Sequence, residues 1–231
     1  MSEAGLEQKY VKEAFDTNWV VPMGPNVNAF EKDLENFVNS RAPLRQVPGA
    51  YPETTTASSK QATELLGRKV VCLSAGTAAV HLALIGCGVK AGDEVLVQSY
   101  TFCASSHPIT YLGAHPVFVG SEGETWNMDP ALLEKAILDR KAKTGRYPKA
   151  IVPVALYGMP YRIDEILSIA DRYGIPVVED AAEGMGSRFN GQVLGTFGKY
   201  GVLSFNGNKM ITTSGGGALI CRNAEDANEI M

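Results

Sequence analysis

No apolar run in this 231-residue sequence approaches the roughly 20 residues that a bilayer-spanning helix needs. The amino terminus, MSEAGLEQKYVKEAF, lacks the basic-then-apolar layout of a signal peptide, so a cytoplasmic protein without a membrane partner is expected. Basic charge is also short: 21 Lys and Arg against 25 Asp and Glu give a net charge of −4. That balance speaks against a general nucleic-acid binder, which needs a basic excess to neutralise phosphates. Cysteine is sparse. Cys72, Cys87, Cys103 and Cys221 match no paired metal-ligand spacing and read as buried free thiols. The histidines, His81, His107 and His115, are scattered, none is spaced with a carboxylate, and no metal is expected. Two nucleotide signatures are missing as well. There is no G-x-x-x-x-G-K-[ST] loop, and no G-x-G-x-x-G opens a helix after the first strand.

What is present is an ordinary soluble composition, 45% apolar and 20% charged, long enough to bury a substantial core. Residues 25 to 40 carry Val27, Phe30, Leu34, Phe37 and Val38 on one helical stripe, started by Pro25 and Asn26. Residues 41 to 61 turn rich in Pro, Thr and Ser and read as a long surface loop. Beyond it, apolar strands alternate with helices. Strands are predicted at 69–73, 94–98, 116–119, 151–156 and 175–180, then in YGVLSF and GALIC. Helices are predicted at 77–86, 102–112, 130–143 and 162–174. This alternation indicates an α/β protein with a mostly parallel sheet, in which ligands sit at the carboxyl ends of strands.

Three strand ends carry chemistry. In LSAGTAAV, small residues lead from a strand into a helix whose first amides attract an anion; a turn built only for close packing is an equal reading. In VVEDAAEGMGS, Asp180 follows a strongly apolar strand, flanked by Glu179 and Glu183. It could cap the next segment or hold a buried cation, and spacing does not separate the two. In SFNGNKMITTSGGG, Ser204 ends a strand and Lys209 follows five residues later, before a glycine triplet. An amine for a Schiff base, a carboxylate for a pyridinium nitrogen and amides for a phosphate are together what pyridoxal phosphate requires.

The segments VPMGPNVNAFEKDL, SAGTAAVHLALIGCGVKAGDEVL, YTFCAS, VALYGMPYRIDEILSIADRYGIPVVEDAAEGMGS and SFNGNKMITTSGGGALI occur in the order of the motifs of the DegT/DnrJ/EryC1/StrS nucleotide-sugar aminotransferases, which this sequence resembles from about residue 18 onward. The resemblance implies a fold-type-I large domain with a mostly parallel seven-stranded sheet between helices, and pyridoxal 5'-phosphate as cofactor. By resemblance Lys209 is the lysine that bonds the cofactor and later shuttles a proton, and Asp180 the acid at its ring nitrogen. Phe102 resembles the aromatic stacked on the ring, and Gly76, Thr77 and Ser204 resemble phosphate ligands. Glu183 stands where the family often has glutamine or histidine near the phenolic oxygen; a carboxylate there repels that oxygen unless one group holds a proton.

A histidine in place of the lysine marks the family's dehydratase branch, so Lys209 favours amino transfer. FNGNK with ITTSGGG is similar to enzymes that aminate C4 of UDP-linked 4-keto-6-deoxy-N-acetylhexosamines for surface glycans, with glutamate as donor; GDP-perosamine-type synthases share much of this wording. A homodimer is implied by the same resemblance. Two departures stand out. The 41–61 segment lengthens a usually short link, and the family's smaller carboxy-terminal domain has no counterpart in this sequence, which reads as a core over 67–231 behind an amino-terminal segment 1–40. A fragment that only binds cofactor is therefore an alternative. A cysteine desulfurase is a weaker one, since none of the four cysteines looks placed for that chemistry.

Overall fold

Strands and helices alternate along the chain, and the way the strands assemble determines where the polar strand ends meet. The structure, a computed structural model, describes residues 5–41 and 67–230; of the expected 41–61 loop only Arg41 lies among them, bridged to Gln192. Helix α1 (Leu6–Asp16), not anticipated from the sequence, buries none of its residues. Helix α2 (Pro25–Val38) starts with its proline in the first turn, where a missing N–H is harmless, and buries Leu34 and Val38. Strand β1 (Lys69–Leu73) lies against it, with the Cys72 amide donating to Glu31 Oε1 at 2.8 Å.

There follow α3 (Gly76–Gly86), β2 (Glu94–Gln98), α4 (His107–Tyr111), β3 (His115–Val119), α5 (Pro130–Thr144), β4 (Ala150–Val152), α6 (Ile163–Tyr173) and β5 (Val178–Asp180). A hairpin of β6 (Arg188–Phe189) and β7 (Gln192–Val193) precedes β8 (Tyr200–Ser204), β9 (Gly217–Cys221) and α7 (Ala224–Asn228). Strands β1-β9-β8-β5 pair in that order, as do β3-β2-β4. Parallel bridges Ile151↔Val177 and Val154↔Asp180 join β4 to β5, giving the expected seven strands. Within these seven strands the pairings are parallel except those of β9, which is antiparallel to both neighbours. No helix intervenes between β8 and β9, so the chain returns antiparallel through the loop that carries Lys209.

Alternate residues of the strands feed two cores. Leu96, Ile151 and Leu203 pack with Leu133 and Ile137 of α5 and Ile163 and Ile166 of α6. Val95, Val97, Val178 and Leu219 face the other way, onto Ala79, Val80, Ala83 and Leu84 of α3. Each fully buried side chain of this size contributes about 1.5–3 kcal/mol, which makes the sheet a stiff platform.

Three expectations need correction. The strand predicted over 151–156 stops at Val152, because Pro153 has no N–H to continue the ladder and the chain turns at Leu156–Gly158. The helix predicted over 102–112 is split into a tight turn at Cys103–Ser105 and the short α4, which has Pro108 in its first turn. Cys103 is exposed rather than buried, since that turn sends Ser105 inward instead. Cys87 and Cys221 are buried and Cys72 partly so; burial pushes all three thiols up to about 12, leaving them protonated and unreactive. No helix among the described residues is long and apolar enough to cross a membrane.

Candidate active site

The carboxyl ends of β1, β5 and β8 open onto one cavity of about 620 Å³. Gly76, Thr77 and Ser204 line one part of it, Asp180 and Phe102 another, and Glu183 and Lys209 a third. All seven residues singled out in the sequence are thus brought to the same space.

Gly76 and Thr77 open α3, whose N-cap residue Ala75 offers no capping side chain, so the positive end of a helix points at the cavity. Ser204 reaches the same corner from the end of β8. A Cβ on Gly76 would stand 3.0 Å from the Ser204 Cβ and 3.4 Å from its Oγ, so glycine is what lets the turn and the hydroxyl sit together.

Asp180 ends β5 and is buried, with 5% of its surface exposed. Ser105 Oγ donates to its Oδ2 at 2.6 Å, and the Ala182 amide donates to Oδ1 at 3.1 Å. Burial pushes the Asp180 carboxyl above its ordinary value; Ser105, the Ala182 amide and Lys209 pull it back, while Glu183 adds to the rise. Asp180 thus caps a turn rather than a helix, and its carboxyl is raised rather than lowered, with Lys209 acting on it only through space.

The Lys209 loop is closed at its base by Phe205, whose amide donates to Gly216 and whose carbonyl accepts from the Thr213 amide at 3.0 Å. Within it the Lys209 amide donates to the Asn206 carbonyl at 3.0 Å, a turn that points the side chain inward. Lys209 Nζ then lies 3.1 Å from Glu183 Oε1, with only 12% of the lysine side chain exposed. The other oxygen, Glu183 Oε2, accepts the Tyr157 amide at 2.8 Å. Tyr157 holds a left-handed backbone (φ 51°, ψ 26°), a conformation that costs a non-glycine residue of order 1 kcal/mol and concentrates at functional sites. Phe102 is 74% exposed on the cavity wall, which excludes a core role.

Sequence reasoning missed Ser105 and Tyr157. Ser105 lies inside the YTFCAS segment, but only a tight turn aims its hydroxyl at Asp180, and no periodicity signals such a turn. Tyr157 contributes a backbone amide, which side-chain patterns do not report.

Residues 53–231 match the model of the DegT/DnrJ/EryC1/StrS aminotransferase family. Among curated proteins the chain is 45% identical over 94% of its length to the putative pyridoxal phosphate-dependent aminotransferase EpsN of Bacillus subtilis, covering 49% of that protein. It is 36% identical over 96% of its length to the GDP-perosamine synthase of Caulobacter vibrioides, covering 50% of it. Among solved structures, a DegT DnrJ EryC1 StrS aminotransferase from Brucella abortus superimposes with a TM-score of 0.78 at 28% identity, over 100% of this chain and 57% of that one. The ntda protein of Bacillus subtilis with bound cofactor PMP gives 0.77 at 27% identity, over 100% and 45%. The chain spans about half the length of the curated relatives it matches.

Proposed function

The chain belongs to the DegT/DnrJ/EryC1/StrS aminotransferase family, and on that premise we propose that its cavity holds pyridoxal 5'-phosphate for amino transfer to a nucleotide-linked keto sugar. The observation that carries this is the convergence of a largely shielded amine, a buried carboxylate and a helix amino terminus on one 620 Å³ space. The donor set suits the cofactor: Lys209 for its aldehyde, Asp180 for its ring nitrogen, and Thr77, Ser204 and the Gly76 turn for its phosphate. The Gly76 position supports the fit, because any side chain there would fill the space beside Ser204.

When bound, this cofactor supplies an electron sink that lets an amino group leave one carbon and join another. Asp180 supports that role as a buried carboxylate able to keep a proton on a pyridine nitrogen, and a ring cation beside it would lower its proton affinity again. Lys209 Nζ is the group suited to carry a proton to and from the substrate carbon, and Glu183 Oε1 holds its ammonium 3.1 Å away. Phe102, exposed on the wall, suits covering one face of the ring.

For the finer chemistry we take glutamate as amino donor and the 4-keto carbon of a UDP-linked 4-keto-6-deoxy-N-acetylhexosamine as acceptor, in a homodimeric cytoplasmic enzyme serving surface glycan synthesis. The SFNGNKMITTSGGG wording supports this reading. The 36% identity to a GDP-perosamine synthase favours a second acceptor, the GDP-linked keto sugar. Borohydride reduction of the protein with pyridoxal phosphate, followed by peptide mapping, tests the core claim: a pyridoxyl group is expected on Lys209, and its absence there defeats the reading. Glutamate should then convert bound cofactor to the pyridoxamine form. Supplying each nucleotide sugar in turn and identifying the aminated product decides between the two acceptors.

A further inference from the structure

Gln98 and Asn127 are both fully buried polar residues outside the cavity, and neither is needed to carry the chemistry above. Gln98 ends β2. Its Nε2 donates to the Tyr100 carbonyl at 2.9 Å and to Asn127 Oδ1 at 3.2 Å, while its Oε1 accepts the amides of Met128 at 2.8 Å and Val154 at 3.3 Å. Asn127 Oδ1 also accepts the Leu156 amide at 3.1 Å, and its Nδ2 donates to the Met159 carbonyl at 3.1 Å. One amide pair thereby fastens three strand ends: the segment after β2, the loop after β3 and the turn after β4.

That last turn is the one whose Tyr157 amide holds Glu183 Oε2, and Glu183 Oε1 holds Lys209. An unbroken set of hydrogen bonds runs from Gln98 through Asn127 and the Leu156–Met159 turn to Glu183 and the amine. A buried network of this kind, nearly fully satisfied, fixes geometry because every alternative arrangement strands a polar group away from water. The left-handed Tyr157 backbone needs such outside restraint to persist.

We propose that Gln98 and Asn127 are positioning residues for Lys209: by clamping the Leu156–Met159 turn from both ends they aim the Tyr157 amide at Glu183, which in turn holds the amine in place. The proposal rests on Lys209 being the functional amine. Among the described residues the charged groups facing Lys209 are Glu183 and Asp180.

The test is competitive acetylation of the cofactor-free protein with acetic anhydride, read lysine by lysine by mass spectrometry. Loosening the turn releases Glu183, and the ammonium loses its partner. Asn127→Ala is expected to raise Lys209 acetylation about threefold or more as the amine, 12% exposed and held against Glu183, becomes freer to react, a size typical of coupling within one hydrogen-bond network. Lys199, outside the network, serves as the internal reference. In a Glu183→Gln background the same substitution should add little. Gln98→Met, which keeps the side-chain length while losing all four bonds, should act in the same direction and carries the test if Asn127→Ala does not fold. Unchanged Lys209 acetylation relative to Lys199 in a folded variant, or an equal effect with and without Glu183, overturns the proposal. Because no cofactor is present, this failure is distinct from that of the cofactor reading, which shows only in the borohydride mapping.

Discussion

Ser105 Oγ donates a 2.6 Å hydrogen bond to Asp180 Oδ2, linking the turn after β2 to the acid at the end of β5. Thr101 Oγ1 lies 2.8 Å from the same Ser105 oxygen, so a short hydroxyl relay leads from the cavity wall to the buried carboxylate. The bond stabilises the ionised form that a protonated ring nitrogen requires, against the burial that favours the neutral acid.

Ser105→Ala removes that support. A hydrogen bond to a charged group contributes about 1.5–3 kcal/mol, so pyridoxal phosphate affinity should fall about tenfold or more at neutral pH. The deficit should widen as pH falls, because the Asp180 carboxyl, already raised by burial, takes up its proton earlier in the variant. Absorbance titration with the cofactor at two pH values checks this; equal affinity of variant and wild type would remove Ser105 from the site.

Gly217 begins β9 against the turn into α3. A Cβ there would lie 2.4 Å from both the Ala75 carbonyl carbon and the Gly76 nitrogen, a clash with backbone that no rotamer relieves. Gly217→Ala is expected to lose about 1–3 kcal/mol of stability and to displace the Gly76–Thr77 corner. Gly215→Ala, where an added Cβ meets nothing within 4 Å, is the neutral control. Urea unfolding of the two variants should separate them clearly.

Glu179 points to the opposite side of β5 from the cavity and is fully buried, accepting the Gly195 amide at 2.6 Å and the Phe197 amide at 3.0 Å. Burial pushes its carboxyl up to about 7, opposed by those amides, the Gly198 amide and Arg68. The folded value lies above the ordinary 4.5, so the fold favours the protonated form. Its contribution is complete below pH 4.5 and is lost as pH rises through about 7, a change on the order of 3 kcal/mol. Thermal unfolding across that window should show a fall in stability in the wild type that Glu179→Gln lacks. Parallel pH profiles would contradict the assignment.

Tyr161 is 1% exposed and its hydroxyl has no hydrogen-bond partner among the described residues. An unmet buried hydroxyl is costly, of order 1–3 kcal/mol, so Tyr161→Phe should be neutral or stabilising, unlike most core substitutions. Denaturant midpoints decide it: a marked loss of stability would mean that the hydroxyl is satisfied after all.

The sequence determined the alternation of strands and helices, because apolar runs and helical stripes are local and repeat over many residues. It also determined which polar residues end the strands, and the family motifs gave Lys209, Asp180 and Ser204 their expected roles. Pro153, which ends β4 early, is a local signal that the apolar run outweighs; the break between Ser105 and α4 and the antiparallel return of β9 could not be registered, since they depend on which neighbour supplies the backbone partners. Only the tertiary structure brought Ser105 to Asp180, Tyr157 to Glu183, and Gln98 to Asn127, pairs separated by 75, 26 and 29 positions. Such bonds leave no periodic trace in a chain. They form because strands far apart in sequence end side by side, where buried donors and acceptors must find one another or go unpaired.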